Sequence, residues 1–186
     1  MAGGKKSLRG SFLLDGGSLA GSFFHRAVVL ICRHTPEGAF GLVVNRPTPS
    51  QVGEVVEMDL PDLVKESLLH IGGPVQTSAL TYLHTDIYLP AGEILPNLSM
   101  GHSMEELVAL GETHSPGKQL RCFAGYAGWS PGQLESELER DAWVIHPASL
   151  DQIFQDPPNT LWRDILRQKG PKYRLLAEAP EDPSLN

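Results

Sequence analysis

The sequence predicts an α+β fold built on a mainly antiparallel sheet, and three observations predict it. Short apolar, β-branched runs are interleaved with segments whose apolar residues recur at helical spacing. The first strands are joined by turns too short for the crossover that a parallel pair requires. With 19 glycines and 15 prolines among 186 residues, the chain is divided into many short elements.

Residues 12–14 form a short strand candidate, followed by a glycine-rich stretch, GGSLAG at 16–21, that suits no regular element. AVVLICR at 27–33 is a continuous run suited to a strand buried on both faces. Pro36-Glu37-Gly38 turns the chain, and FGLVVN at 40–45 is its hairpin partner. Thr48, Pro49 and Gln51 then have the pattern of an N-cap, a first helical proline and a capping box, with Val52, Val55 and Val56 on one helical face up to Pro61. Further strands are expected at 68–71, 79–84, 88–89, 94–95, 120–124 and 143–146.

Ser103 and Glu106 form a second capping box, opening a helix with Met104, Leu107 and Val108 inward and Gly111 as its stop. At Trp129-Ser130-Pro131 the pattern predicts another helix. Ser130 caps it through Gln133, and Trp129 and Leu134 form a hydrophobic staple. Ser149 caps a short turn through Phe154, and a last helix places Leu161, Trp162, Ile165 and Leu166 on one face.

A hydrophobic fraction of 41% with 20% charged residues is that of a globular chain, and its length fits one domain. We expect a flexible arm at 1–9, a single domain at 10–176 and a disordered acidic tail at 177–186. No run approaches the roughly 20 apolar residues of a membrane span. The two lysines of MAGGKKSLRGSF have no apolar stretch behind them, so no signal peptide is expected. Cys32 and Cys122 sit among apolar residues as free thiols would, which indicates a cytoplasmic protein. A net charge of −7 opposes DNA binding, which depends on lysine and arginine meeting phosphates. The basic run RDILRQKGPKYR at 163–174 has a simpler account as cations near a helix C-terminus.

No nucleophile elbow, Walker loop, HExxH or CxxC motif is present, and the seven histidines show no helical ligand spacing. The sequence nominates no catalytic residue, metal or cofactor. Three polar segments stand out instead: Asn45-Arg46-Pro47 at a strand exit, Gly72-Gly73-Pro74, and Arg121 followed by Gly125-Tyr126-Ala127-Gly128-Trp129. The last resembles a strand-to-helix turn whose open amides would attract an anion. Asn45, Arg46, Gly72, Gly73, Arg121, Gly125, Tyr126 and Gly128 are therefore the candidate binding residues, expected on one side of the fold. Glycines at tight turns and a locally paired arginine explain the same residues without a ligand, and that alternative stays open.

These segments together resemble the YqgE/AlgH family of small bacterial proteins. The matching pieces run in order: Phe24 before VVLIC, GAFGLVVNRP at 38–47, GGPV at 72–75, and GYAGWSPGQLESEL at 125–138 followed by Trp143. One departure is Gly21-Ser22-Phe23-Phe24, where members of the family tend to carry an acidic residue just before the Phe of the first motif. The resemblance implies a forked, mainly antiparallel sheet curled into a pseudo-barrel and flanked by helices, with no established enzyme activity. Some members carry the label transcriptional regulator, but no helix-turn-helix pair is evident here. The leading expectation is a non-enzymatic binding or regulatory module for a protein or small molecule. The second is an anion- or nucleotide-binding protein or enzyme with a pocket built from Arg46, Arg121 and residues 125–130.

Overall fold

The computed structural model describes residues 7–88, 92–113 and 117–180. Its centre is the expected hairpin. Strand β1 (Ser11–Asp15) lies against β2 (Val28–Thr35), which turns back into β3 (Gly38–Val43), all antiparallel. The run from Val28 to Ile31 is wholly buried, as its unbroken β-branched pattern requires.

The next segment departs from its sequence pattern. Residues Pro47–Gln51 form strand β4, not a helical first turn, and the Thr48 hydroxyl donates to the Leu69 carbonyl at 2.8 Å. The helix, α1 (Val52–Val55), starts later, with Gln51 as N-cap and Glu54 accepting from the Gln51 amide at 2.9 Å. Pro61 does not merely end a segment; it precedes a second short helix, α2 (Asp62–Lys65). Strand β5 (Leu68–Ile71) pairs antiparallel with β4. The longer β6 (Val75–His84) is followed by β7 (Glu93–Leu95) and β8 (Leu98–Gly101). Of the strand expected at 88–89, Tyr88 lies in a turn and Leu89 is outside the described residues.

Helix α3 (Met104–Glu112) starts as expected, the Ser103 hydroxyl accepting from the Glu106 amide, and runs one residue past Gly111. Strand β9 (Leu120–Trp129) is longer than expected, because the glycine-rich GYAGW stretch continues the strand and is not a turn. Helix α4 (Gln133–Glu139) therefore begins after Gly132, which is left-handed at φ 76°. The Ser130 carbonyl, not its hydroxyl, accepts from the Gln133 amide. Strand β10 (Trp143–Pro147) returns to β1, and the Ser149 cap opens α5 (Leu150–Phe154). Then come α6 (Pro158–Gln168) and an additional helix, α7 (Pro171–Glu178). Helix α7 carries the fold to Glu178, two residues into the expected tail, because Ala177 is buried and Arg167 Nε holds Glu178 at 2.7 Å. At the other end Leu8 is already tied to His34 Nδ1 at 3.1 Å.

The strand order is β10-β1-β2-β3-β9-β6-β8-β7, and β9 is where the sheet forks. Ala127–Trp129 pair with β3, Cys122–Ala124 pair in parallel with β5, and the opposite edge pairs with β6. The sheet curls until Gly10 approaches Ile94 of β7; a Cβ on Gly10 would stand 3.1 Å from the Ile94 carbonyl oxygen. The edges β10 and β7 do not pair, so the pseudo-barrel stays open. Helices α5–α7 cover one core with Ile153, Trp162 and Leu166. Trp129, Leu134 and Trp143 close a second core on the other face, and α1–α3 close a third around Tyr82 and Cys122. Both cysteines are buried free thiols. Burial pushes both thiols up, Cys122 to about 12. No described helix is long and apolar enough to cross a membrane.

Candidate functional site

The three polar segments meet at the fork through their backbones. The Ile71 amide donates to the Arg46 carbonyl at 2.8 Å, the Val43 amide to Gly72 at 2.8 Å, and the Gly72 amide to Ala124 at 2.9 Å. Gly73 lies so close to Tyr126 that a side chain there would overlap the Tyr126 backbone. Gly125, at φ 71°, is pressed in turn against the Gly73 carbonyl. These glycines let three chain segments approach where one strand exchanges neighbours.

The side chains of the candidate residues separate. Asn45 is structural: its Oδ1 accepts from the Val28 amide at 2.8 Å and its Nδ2 donates to the Arg26 carbonyl at 3.0 Å, locking β3 to β2. Arg46 donates from Nη2 to the carbonyls of His25 at 2.6 Å and Phe23 at 3.2 Å. Arg121 donates to Val44 and Phe154 carbonyls instead, and burial pulls its pKa down to about 10. The two arginines line different cavities with no residue in common. Since residues 125–129 lie within β9, an anion pocket shared by Arg46, Arg121 and residues 125–130 does not form. Among the described residues no three His, Cys, Asp or Glu side chains cluster as metal ligands would.

Tyr126 lines a groove of about 780 Å³. Its ring stacks on Phe40 with centroids 4.7 Å apart. Met100, Met104 and Met58 add flexible apolar surface, and Arg33 and His102 also line the groove. Val55 and Met58 remain 53% and 47% exposed, so apolar surface stands open to a ligand.

Strand β6 supplies the remaining wall, and its geometry is unusual. Val75 pairs with Tyr126 and Leu80 with Ala124, so residues 76–79 arch out opposite Gly125 alone. Gln76 takes φ 46° to enter the arch. On its other edge β6 first meets β8 at Tyr82, so residues 75–81 have no strand beside them there among the described residues. Ala124 turns its carbonyl to Gly72, so the facing Leu80 directs its own N–H and C=O to the open edge. Consecutive residues Ser78, Ala79, Leu80 and Thr81 line the groove, as happens when a cavity runs along a strand edge.

This arrangement has no contiguous motif, and only Tyr126 was nominated from sequence. The signal available was VQTSALTY itself, a strand whose first half is too polar to be covered.

His70 of β5 lies behind the site, 4% exposed and against Phe123. Burial, reinforced by Arg121, lowers its pKa to about 4. The unfolded chain takes up this proton near 6.5, so stability is complete above that pH and is lost as pH falls towards 4. The expected loss is about 2–3 kcal/mol. Urea titrations across that window should show it, and His70→Gln should flatten the dependence.

The chain matches an AlgH-like family across residues 12–174. It is 38% identical to a UPF0301 protein of Chlorobium luteolum over 98% of this chain and 96% of that one. It is 39% identical to a UPF0301 protein of Chlorobaculum parvum over 95% of each. The solution structure of the AlgH protein from Pseudomonas aeruginosa superimposes with a TM-score of 0.74 at 31% identity, over 95% of this chain and 98% of that one. A crystal structure from Corynebacterium diphtheriae shares the fold with a TM-score of 0.74 at 23% identity, over 94% of each chain. From residue 12 to residue 174, and in its forked sheet, this chain belongs to the AlgH-like family of UPF0301 proteins.

Proposed function

We propose that the protein is a non-enzymatic binding module that docks an extended, apolar peptide segment of a partner protein along the open edge of β6. One observation carries this reading: the edge of β6 before Tyr82, which has no strand beside it among the described residues, borders a methionine-lined groove. Free backbone N–H and C=O groups favour an added strand, and the groove takes alternate apolar side chains of that strand. The absence of a catalytic motif in the sequence agrees with binding without chemistry. The net charge of −7 supports a regulatory role through protein contact over one through DNA. Two buried thiols support a cytoplasmic setting.

Peptides selected from a displayed library against the folded protein should be extended and apolar at alternate positions. Ser78→Pro removes an amide on the exposed arch and should weaken them roughly tenfold or more without lowering thermal stability. Equal binding by the Ser78→Pro and Met104→Asp variants would overturn the proposal.

A further inference from the structure

Strand β2 carries a bulge where it borders the groove. Ile31 faces Gly41 of β3, but Arg33 faces Phe40, so Cys32 is an extra residue taken up between them. Residues directly opposite in an antiparallel pair share a face of the sheet. An unbroken register would set Arg33 opposite Ala39, on the face of the second core with Ile31. The bulge turns it instead to the face of Phe40, whose ring stacks on Tyr126. Arg33 thereby lines the groove across from the β6 arch, with β3 and β9 between them in the sheet.

Arg33 and His102 are the basic side chains that line the groove, and no Asp or Glu side chain does so among the described residues. In a chain with 22 acidic and 15 basic residues, that exclusion sets the groove apart from the rest of the surface. Arg33 is exposed, and its guanidinium has no hydrogen bond or ion pair among the described residues. The adjacent His34, by contrast, is taken by Glu135 at 3.1 Å. A planar fork of donors therefore faces the groove unused.

We infer that the peptide segment docked along β6 carries a glutamate or aspartate among its apolar residues, and that Arg33 pairs with it. This selectivity rests on the docking along β6 proposed above and adds what the groove chooses. A guanidinium fork matches the edge of a carboxylate, and a groove free of acidic side chains does not repel one. The carboxylate belongs to a side chain and not to the peptide's own C-terminus. The main chain of an added strand stays at the β6 edge, whereas Arg33 stands beyond β9 and β3, where only a side chain directed into the groove extends.

The full-length protein and its Arg33→Glu variant should each select from the same displayed peptide library. The wild type should return segments with alternate apolar residues and an acid at one fixed position, and Arg33→Glu should return lysine or arginine there. A synthetic peptide of the wild-type consensus, blocked at both ends, is then titrated against both proteins by fluorescence anisotropy at low salt. Reversing the charge turns attraction into repulsion, so Arg33→Glu should bind this peptide roughly tenfold more weakly. Glutamine in place of the peptide's acid should weaken binding to the wild type roughly fivefold, a test that needs no variant of the protein. Apolar peptides without a fixed acid, binding lost on blocking the C-terminus, or an affinity unmoved by glutamine would each overturn the inference while docking along β6 stands. Recovery of no peptide, or of peptides indifferent to both Ser78→Pro and Met104→Asp, would overturn the docking itself and this selectivity with it.

Discussion

Replacing Trp129 by alanine is expected to lower stability by about 3–5 kcal/mol. The ring is 6% exposed, lies 6.4 Å from Phe24 and 6.0 Å from Trp143, and closes the second core over Leu134. Its indole donates to Glu137 Oε2 at 2.8 Å, and the Trp143 indole donates to that same oxygen at 2.8 Å. Truncation removes one of the two tryptophans of the cluster and leaves the carboxylate with half of its indole partners. Both losses act in the same direction. Urea unfolding followed by far-ultraviolet circular dichroism gives the value. Ser130→Ala is the matched control. Its hydroxyl does not cap α4, so the change should stay within about 0.5 kcal/mol. A loss from Ser130→Ala of the size usual for a cap would mean that α4 begins at Ser130 after all.

Gly73→Ala is the second large effect, expected at about 3 kcal/mol or more. A methyl group there would overlap the carbonyl carbon and oxygen of Tyr126 and the amide of Ala127, all backbone atoms that cannot rotate aside. Relief requires parting the β5–β6 connection from β9, which breaks the fork. Gly128→Ala makes the comparison sharp. A methyl there meets only the edge of the Tyr126 ring at 3.3 Å, and its cost should remain below about 1 kcal/mol. Thermal unfolding of the two variants side by side measures the difference, and equal midpoints would contradict the close approach.

The elements that could be read from sequence were those whose pattern arises from one environment. β2 was legible because burial on both faces demands an unbroken apolar run, and α6 because Leu161, Trp162, Ile165 and Leu166 repeat at helical spacing. Capping was legible where a serine hydroxyl truly accepts, at Ser103 and Ser149. It misled at Thr48 and Ser130, where the same residue types serve a strand and a turn. GYAGW has the composition of a turn because its glycines signal backbone freedom. In the fold that freedom serves close packing inside a strand.

The sites were harder to read for a geometric reason. Arg26, Arg46 and Arg163 share a cavity only because the turn before β2, the exit of β3 and α6 come together, and Arg163 alone reads as the polar face of a helix. The β6 edge becomes open through an arch set by Gly125 on another strand. No local pattern encodes an unpaired edge.

The pairing of β1 with β10 also governs how the chain is made. Ser11 waits for Pro147 as its partner, and β3 waits for Ala127–Trp129. During synthesis the β1–β3 meander leaves the ribosome with both of its apolar faces bare until nearly the whole chain has followed. Such distant pairing slows folding and leaves the nascent meander vulnerable to association with other chains. The covering strands of the meander, β9 and β10, are among the last to be made.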